Sequence, residues 1–257
     1  MSDVSSIGAS AASYYSQLAS GSKLQSAADG AAELTIVEEE NAQVTGLEVG
    51  ASNAASAQDM LNVSDSALAN ITDSLQRIRE LAVAASNSAL LSGSDLQAYQ
   101  DEIDQLKQGI SDIASQTTYN TQNIIDGSNT EYNLATDANG GYTTVNTTDA
   151  TLEALGIADF DVTGDFDIQT IDDAISYVSS ARSSGGAQSN ALEYLQNSNY
   201  YTAENLTAAS SRLEDTDYPQ AVEELKKKQA QMAYAYIMQK HQQDQEAQSS
   251  GRFFAQL

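Results

Sequence analysis

The feature that most constrains this chain is an absence of helix breakers joined to a strict apolar spacing. Proline occurs once in 257 residues, at Pro219. Between Glu33 and Ser86 the only glycines are Gly46 and Gly50. Proline removes a backbone donor and clashes with the preceding turn, so a chain nearly free of it can sustain long helices. In that stretch Leu47, Gly50, Ala54, Ala57, Leu61, Ser64, Leu68, Ile71, Leu75, Ile78, Ala82 and Ala85 recur at alternating steps of three and four. This is the spacing of a coiled-coil seam. Its first half is built from small residues, which let neighbouring helices approach closely. At 1.5 Å per residue such a helix is roughly 80 Å long, a length suited to a rod.

A turn rich in Ser, Asn and Gly follows from Ser86 to Asp95, with Ser94 or Asp95 as the expected N-cap of the next helix. Leu96, Tyr99, Ile103, Leu106, Ile110 and Ile113 form a second seam, which predicts a helix folding back on the first. From Tyr119 to about Asp167 the composition shifts to Asn, Thr, Gly and Asp. The Asn139-Gly140-Gly141 signal predicts a hairpin pairing Glu131–Ala135 with Tyr142–Asn146, and Leu152–Leu155 suits a helical turn. Helical spacing resumes at Ile168, Ile171, Ile175 and Val178, and again at Leu192, Leu195, Leu206, Ala209 and Leu213. The Gly185-Gly186 pair between them fits either one weakened helix or two with a break, since paired glycines cost about 2 kcal/mol against alanine. Pro219 marks a junction, and Ala221 to Ala247 reads as a last helix. Its run Met232–Met238 is apolar on all sides and requires burial by something. The expected fold class is an all-α rod, an antiparallel coiled-coil bundle of long helices, with a small β-hairpin insert. Five segments are expected: 1–32, 33–118, 119–166, 167–218 and 219–257.

Composition narrows the function. Thirty-six Asp and Glu against 11 Lys and Arg give a formal charge of −25. That charge repels phosphate, so nucleic acid is excluded as a partner. With no Cys and one His (His241), thiol chemistry, Cys-based zinc sites and multi-His metal sites fall away. His241 lies in a Gln-rich stretch without a triad around it, so no catalytic residue, metal or cofactor is expected. No apolar run reaches the length of a transmembrane helix. The N-terminus lacks the basic start and apolar block of a cleavable leader, which suits a cytoplasmic chain or one exported by another route.

Four clusters are candidate sites. Gln76, Arg77, Arg79, Glu80 and Leu81 are either a solvated helix face or an Arg-anchored interface. The alternating run Asp159, Asp161, Thr163, Asp165, Asp167 resembles a calcium loop, but Thr170 stands where a bidentate Glu is needed, so a turn entering a helix is the better reading. Lys226-Lys227-Lys228 reads as a helix face paired with Glu223 and Glu224, or as an electrostatic contact to an acidic neighbour. The Ser and Thr around Asn146-Thr147-Thr148 are possible carriers of glycans.

Several segments, in order, resemble bacterial flagellin. They are Leu18-Ala19-Ser20-Gly21, Ser26-Ala27-Ala28-Asp29, Leu75 through Val83 (LQRIRELAV), Gln100-Asp101-Glu102-Ile103, Ser115 through Asn120 (SQTTYN), Glu204-Asn205-Leu206 and Ser211 through Tyr218 (SRLEDTDY). The resemblance implies a structural subunit that self-assembles into the extracellular flagellar filament for motility. The alternative on the same rod is a hook-filament junction protein or a surface adhesin. It also implies export through a flagellar type III apparatus with a chaperone, contacts with hook-associated and cap proteins, and recognition by the flagellin-sensing Toll-like receptor of hosts. Residues 1–32 and 219–257 would form the inner tube, packed through Met232, Tyr236, Ile237, Phe253, Phe254 and Leu257. Residues 33–118 and 167–218 would be rod helices. Gln76, Arg77, Arg79, Glu80 and Leu81 would form the subunit and receptor interface. The segment before Leu18 is shorter than the family usually shows, and Gln108-Gly109 stands where the family carries an acidic pair.

Overall fold

Alternating steps of three and four keep one stripe of a helix pointing the same way, and all twelve positions of the first seam are buried in the computed structural model. The structure describes residues 2–87 and 90–254. In chain order the elements are α1 (Ser2–Ser20), α2 (Ala27–Ala85), α3 (Gly93–Gln116), β1 (Thr118–Tyr119), β2 (Gln122–Asn123), β3 (Glu131–Ala135), β4 (Tyr142–Asn146), α4 (Gln169–Glu214) and α5 (Tyr218–Phe254). The fold is all-α with a small hairpin insert. No described helix is long and apolar enough to cross a membrane. The chain divides into two compact units, 43–204 and 1–42 with 205–257.

The larger unit owes its core to α2, α3, α4 and the insert. Ile71, Leu75 and Ile78 of α2, Ile103 and Ile110 of α3, Ile171 and Val178 of α4, and Ile124, Ile125, Val145 and Ile157 between them are all fully buried. Each such side chain contributes about 1.5–3 kcal/mol relative to exposure. The β3–β4 pair has the expected register, Glu131 opposite Asn146 and Ala135 opposite Tyr142. Its turn places Gly140 at φ +82°, a backbone region that favours glycine. A second, two-residue hairpin, β1 with β2, was not expected.

Gly50 of the α2 seam, and Gly46 one turn before it, meet this hairpin. A Cβ on Gly50 would lie 2.5 Å from the Thr136 carbonyl oxygen, and one on Gly46 would lie 2.8 Å from the Ala138 Cα. Side-chain amides complete the seat. Asn53 donates to the Ala135 carbonyl at 2.8 Å and Asn199 to the Thr136 carbonyl at 2.8 Å. Gln188 accepts from the Asn146 N–H at 2.7 Å and donates to its carbonyl at 3.1 Å, as a neighbouring strand would. The polar segment before α4 is held to α3 in the same manner. Buried Gln100 accepts from the Val162 N–H at 2.8 Å, and Lys107 donates to the Phe160 carbonyl at 3.2 Å.

One local expectation is corrected and one open alternative is decided. The cap of α3 is Ser92, not Ser94 or Asp95: Ser92 accepts from the Asp95 N–H, and Asp95 is the reciprocal acceptor at the third helical position. The glycine pair at 185–186 does not break α4, which is one helix of 46 residues.

In the smaller unit α1 packs on α5. Ala11, Leu24, Val37, Ala221 and Leu225 are its buried apolar residues. The links α1–α2 and α4–α5 lie side by side. Lys23 N–H donates to the Glu214 carbonyl at 2.8 Å and Thr216 N–H to the Gly21 carbonyl at 2.8 Å, with Ser22 opposite Asp215. Tyr218 Oη donates to the Leu18 carbonyl at 3.2 Å. Pro219 sits in the first turn of α5, where a missing N–H costs nothing.

Candidate assembly surfaces

The 76–81 segment of α2 puts Gln76, Arg77, Arg79 and Glu80 on the exposed side. Arg77 donates to Glu102 of α3 at 2.8 Å and to Glu80 at 3.0 Å, while Arg79 donates to Asp172 of α4 at 2.5 Å. The hydrogen bond to Glu102, then that to Glu80, holds the Arg77 guanidinium above its ordinary pKa. Asp172 does the same for Arg79. Both guanidiniums therefore tie helices of their own chain together, and remain half-exposed while doing so. Leu81 does not share this face: it is 4% exposed and belongs to the core. A surface here is carried by its four exposed neighbours.

On α5, Met232 is half-buried, its Sδ 3.7 Å from where a Cβ on Gly8 of α1 would stand. The other members of the apolar run, Ala235 apart, are exposed. Tyr236 and Ile237 are 66% and 62% exposed, and Tyr234 and Met238 are also exposed. A groove of about 680 Å³ lies between Ser6 and Ile7 of α1 and Lys227, Ala230, Gln231, Tyr234 and Ala235 of α5. The side chains of Phe253 and Phe254, and Leu257 altogether, lie outside the described residues.

The remaining clusters have local roles. In the acidic run, the Asp161 carboxylate accepts from the Thr163 hydroxyl and N–H, which lowers its pKa, and Asp167 accepts from the Gln169 N–H at the start of α4. Among the described residues no group of three or more His, Cys, Asp or Glu is placed to hold a metal ion. Lys227 pairs with Glu224 at 3.1 Å. His241 is exposed on α5. The hairpin seat at Gly46, Gly50, Asn53 and Asn199 escaped the sequence reading. Its signal in the sequence is a pair of glycines one helical turn apart, Gly50 on the seam and Gly46 beside it.

Long helices, two chain ends packed together and an apolar helix face left uncovered are the marks of a subunit made to assemble. Comparison with known proteins agrees. Residues 1–130 match the bacterial flagellin N-terminal helical region and residues 168–249 the bacterial flagellin C-terminal helical region. The flagellin of Bacillus subtilis (strain 168) is 33% identical over 270 residues, covering 89% of this chain and 88% of its own. The flagellar filament 33 kDa core protein of Treponema phagedenis is 31% identical over 255 residues, covering 89% and 88%. A crystal structure of Bacillus cereus flagellin aligns with a TM-score of 0.50 at 26% identity, over 58% of this chain and 88% of that one. The chain belongs to the bacterial flagellin family. It is a structural subunit of the extracellular flagellar filament, a homopolymer, and not an enzyme; the junction-protein or adhesin alternative is not favoured.

Proposed function

We propose that the subunit polymerises through two distinct surfaces and reaches the filament by flagellar export. Residues 1–32 and 219–257 form the inner tube. There the uncovered side of α5, with Tyr236 and Ile237, packs against other copies together with Met232, Phe253, Phe254 and Leu257. Residues 33–118 and 167–218 act as the rod helices and 119–166 as the insert between them. Gln76, Arg77, Arg79 and Glu80 form a lateral contact between rods, backed by Leu81 from the core. The same four residues are the candidate surface for the host Toll-like receptor. A chain without Cys suits passage as an unfolded polypeptide through a type III export apparatus with its chaperone, and hook-associated and cap proteins are its expected partners at the filament ends.

The observation that carries this reading is the exposure of Tyr234, Tyr236, Ile237 and Met238 on a helix whose opposite side is already packed. Such a face gains about 25 cal/mol per Å² when covered. Charge opposes assembly, because copies carrying −25 each repel. Salt shortens the screening length from about 10 Å at 0.1 M to about 3 Å at 1 M. Purified chain examined by negative-stain electron microscopy should therefore form long filaments more readily as salt rises. Tyr236→Asp with Ile237→Asp should abolish them while leaving the larger unit folded. Filaments that form equally well at both salt levels, or from the double variant, would sink the proposal.

A further inference from the structure

Residues 43–204 hold 23 Asp and Glu against four Lys and Arg, a formal charge of −19. Each of the four cations is already paired within the chain: Arg77 with Glu80 and Glu102, Arg79 with Asp172, Lys107 with Asp104, and Arg182 with Asp65. The exposed sides of α2 and α3 carry carboxylates along their length, Glu48, Asp59 and Asp73 on one and Asp101, Asp104 and Asp112 on the other. One long face differs. Residues 174–203 of α4 contain a single acid and a single base, Glu193 and Arg182. On the side of α4 opposite its buried residues run Ser176, Ser180, Ser183, Ala187, Asn190, Tyr194, Asn197 and Tyr201, all exposed and none charged. They alternate in steps of four and three, so they form a continuous stripe over roughly 37 Å of helix. Tyr194 and Tyr201 are 77% and 67% exposed.

We infer that this outer face of α4 is a contact between copies of the chain in the filament, separate from the 76–80 surface. The inference rests on the filament reading. The occupant is a second copy because the charge pattern selects one. A neighbour that is itself strongly acidic is repelled from the carboxylate-bearing sides of α2 and α3, and no unpaired cation of this unit is left to receive it. Along the stripe, between Asp173 and Glu204 at its two ends, it meets no charge. Charged residues are depleted at the centres of protein interfaces, and tyrosine is enriched among the residues that carry their energy. A helical polymer uses heterologous contacts, so the stripe meets a different face of the neighbour.

The test adds charge to the stripe. Tyr194→Glu with Tyr201→Glu should raise the critical concentration for polymerisation about tenfold or more at 0.1 M salt, with the monomer's helical circular dichroism unchanged. The control Gln105→Glu with Ser115→Glu places the same two charges on the already acidic α3 face and should leave the critical concentration within about twofold. The absence of native cysteine permits a second measurement. In Tyr194→Cys the thiol should react freely with a maleimide reagent in the monomer and be protected in the filament. Filaments from the double variant at the native critical concentration, or a thiol equally reactive in monomer and filament, overturn the inference. If the native chain forms no filament at any salt, the filament reading falls and this inference falls with it.

Discussion

Replacing glycine by alanine in a helix ordinarily stabilises it, by about 1 kcal/mol. Gly50 and Gly186 are both helical here, and the structure assigns the same substitution opposite signs at the two sites. At Gly186 a new Cβ meets nothing within 4 Å, so Gly186→Ala should gain up to about 1 kcal/mol. At Gly50 the Cβ would stand 2.5 Å from the Thr136 carbonyl oxygen, 2.7 Å from its carbonyl carbon and 3.0 Å from Asn199 Nδ2. Two of these are backbone atoms of a paired hairpin, which cannot swing aside. Overpacking of this kind costs about 1–3 kcal/mol. Displacing the turn also stretches the buried hydrogen bond from Asn199 to Thr136, worth about 1 kcal/mol. After subtracting the helix gain, Gly50→Ala should destabilise by about 1–3 kcal/mol. For a chain of this size that is a fall in melting temperature of roughly 2–12 °C, against a rise of roughly 2–4 °C for Gly186→Ala. Thermal melts of the monomer at low salt, followed by circular dichroism, read both. Melting temperatures that rise together would mean that the hairpin is not seated on Gly50, and the account of the small seam residues would fail.

Other perturbations probe the remaining contacts. Gln100→Ala leaves the buried Val162 N–H without its acceptor and should cost about 1–3 kcal/mol in urea titration, whereas Gln97→Ala on the outer side of α3 should stay within about 0.5. Ile103→Ala empties a fully buried site and should cost about 2–5 kcal/mol by the same assay. The Asp126 carboxylate accepts from the Ser128 hydroxyl and N–H and from the Asn123 amide, which lower its folded pKa. Its contribution is therefore present above the unfolded value near 4 and lost as pH falls through the folded one. Asp126→Ala should be less stable than the native chain at pH 7, and the difference should shrink as the pH is taken below about 4.

The seams were legible because burial follows a period that residue type reports directly. All twelve α2 positions are buried, and Ile103 and Ile110 anchor the second seam while its other members are half-buried. The β3–β4 register was legible because Asn139-Gly140 marks where the backbone must take a positive φ. What escaped is what depends on a partner distant in sequence. Gly50, on the small-residue half of the seam, reads as a place for a helix to approach, and a hairpin turn approaches it and Gly46 instead. Nothing local to Gln100 or Gln188 announces that their amides serve backbone groups of Val162 and Asn146, 62 and 42 residues away. The Gly185-Gly186 pair carries a real propensity cost, yet Arg182 on Asp65 and Gln188 on Asn146 hold α4 on either side of it. Leu81 sits beside exposed Glu80 in the chain but one step further round the helix, which returns it to the core.

The paired links between α1 and α2 and between α4 and α5 constrain the order in which the chain becomes structured. Lys23 and Arg212, joined there by a side-chain hydrogen bond, are 189 residues apart, and Tyr218 and Leu18 are 200 apart. Closing a flexible loop of that size costs about 5 kcal/mol in chain entropy, which the five hydrogen bonds across the links, at about 1 kcal/mol each, no more than offset. Closing them in an open chain therefore gains nothing. They close after residues 43–204 have folded and removed most of the intervening slack, which makes the pairing of the chain ends the last step. In a pulsed hydrogen-exchange refolding experiment, the amides of Lys23 and Thr216 should gain protection later than those of Ile71 and Ile103.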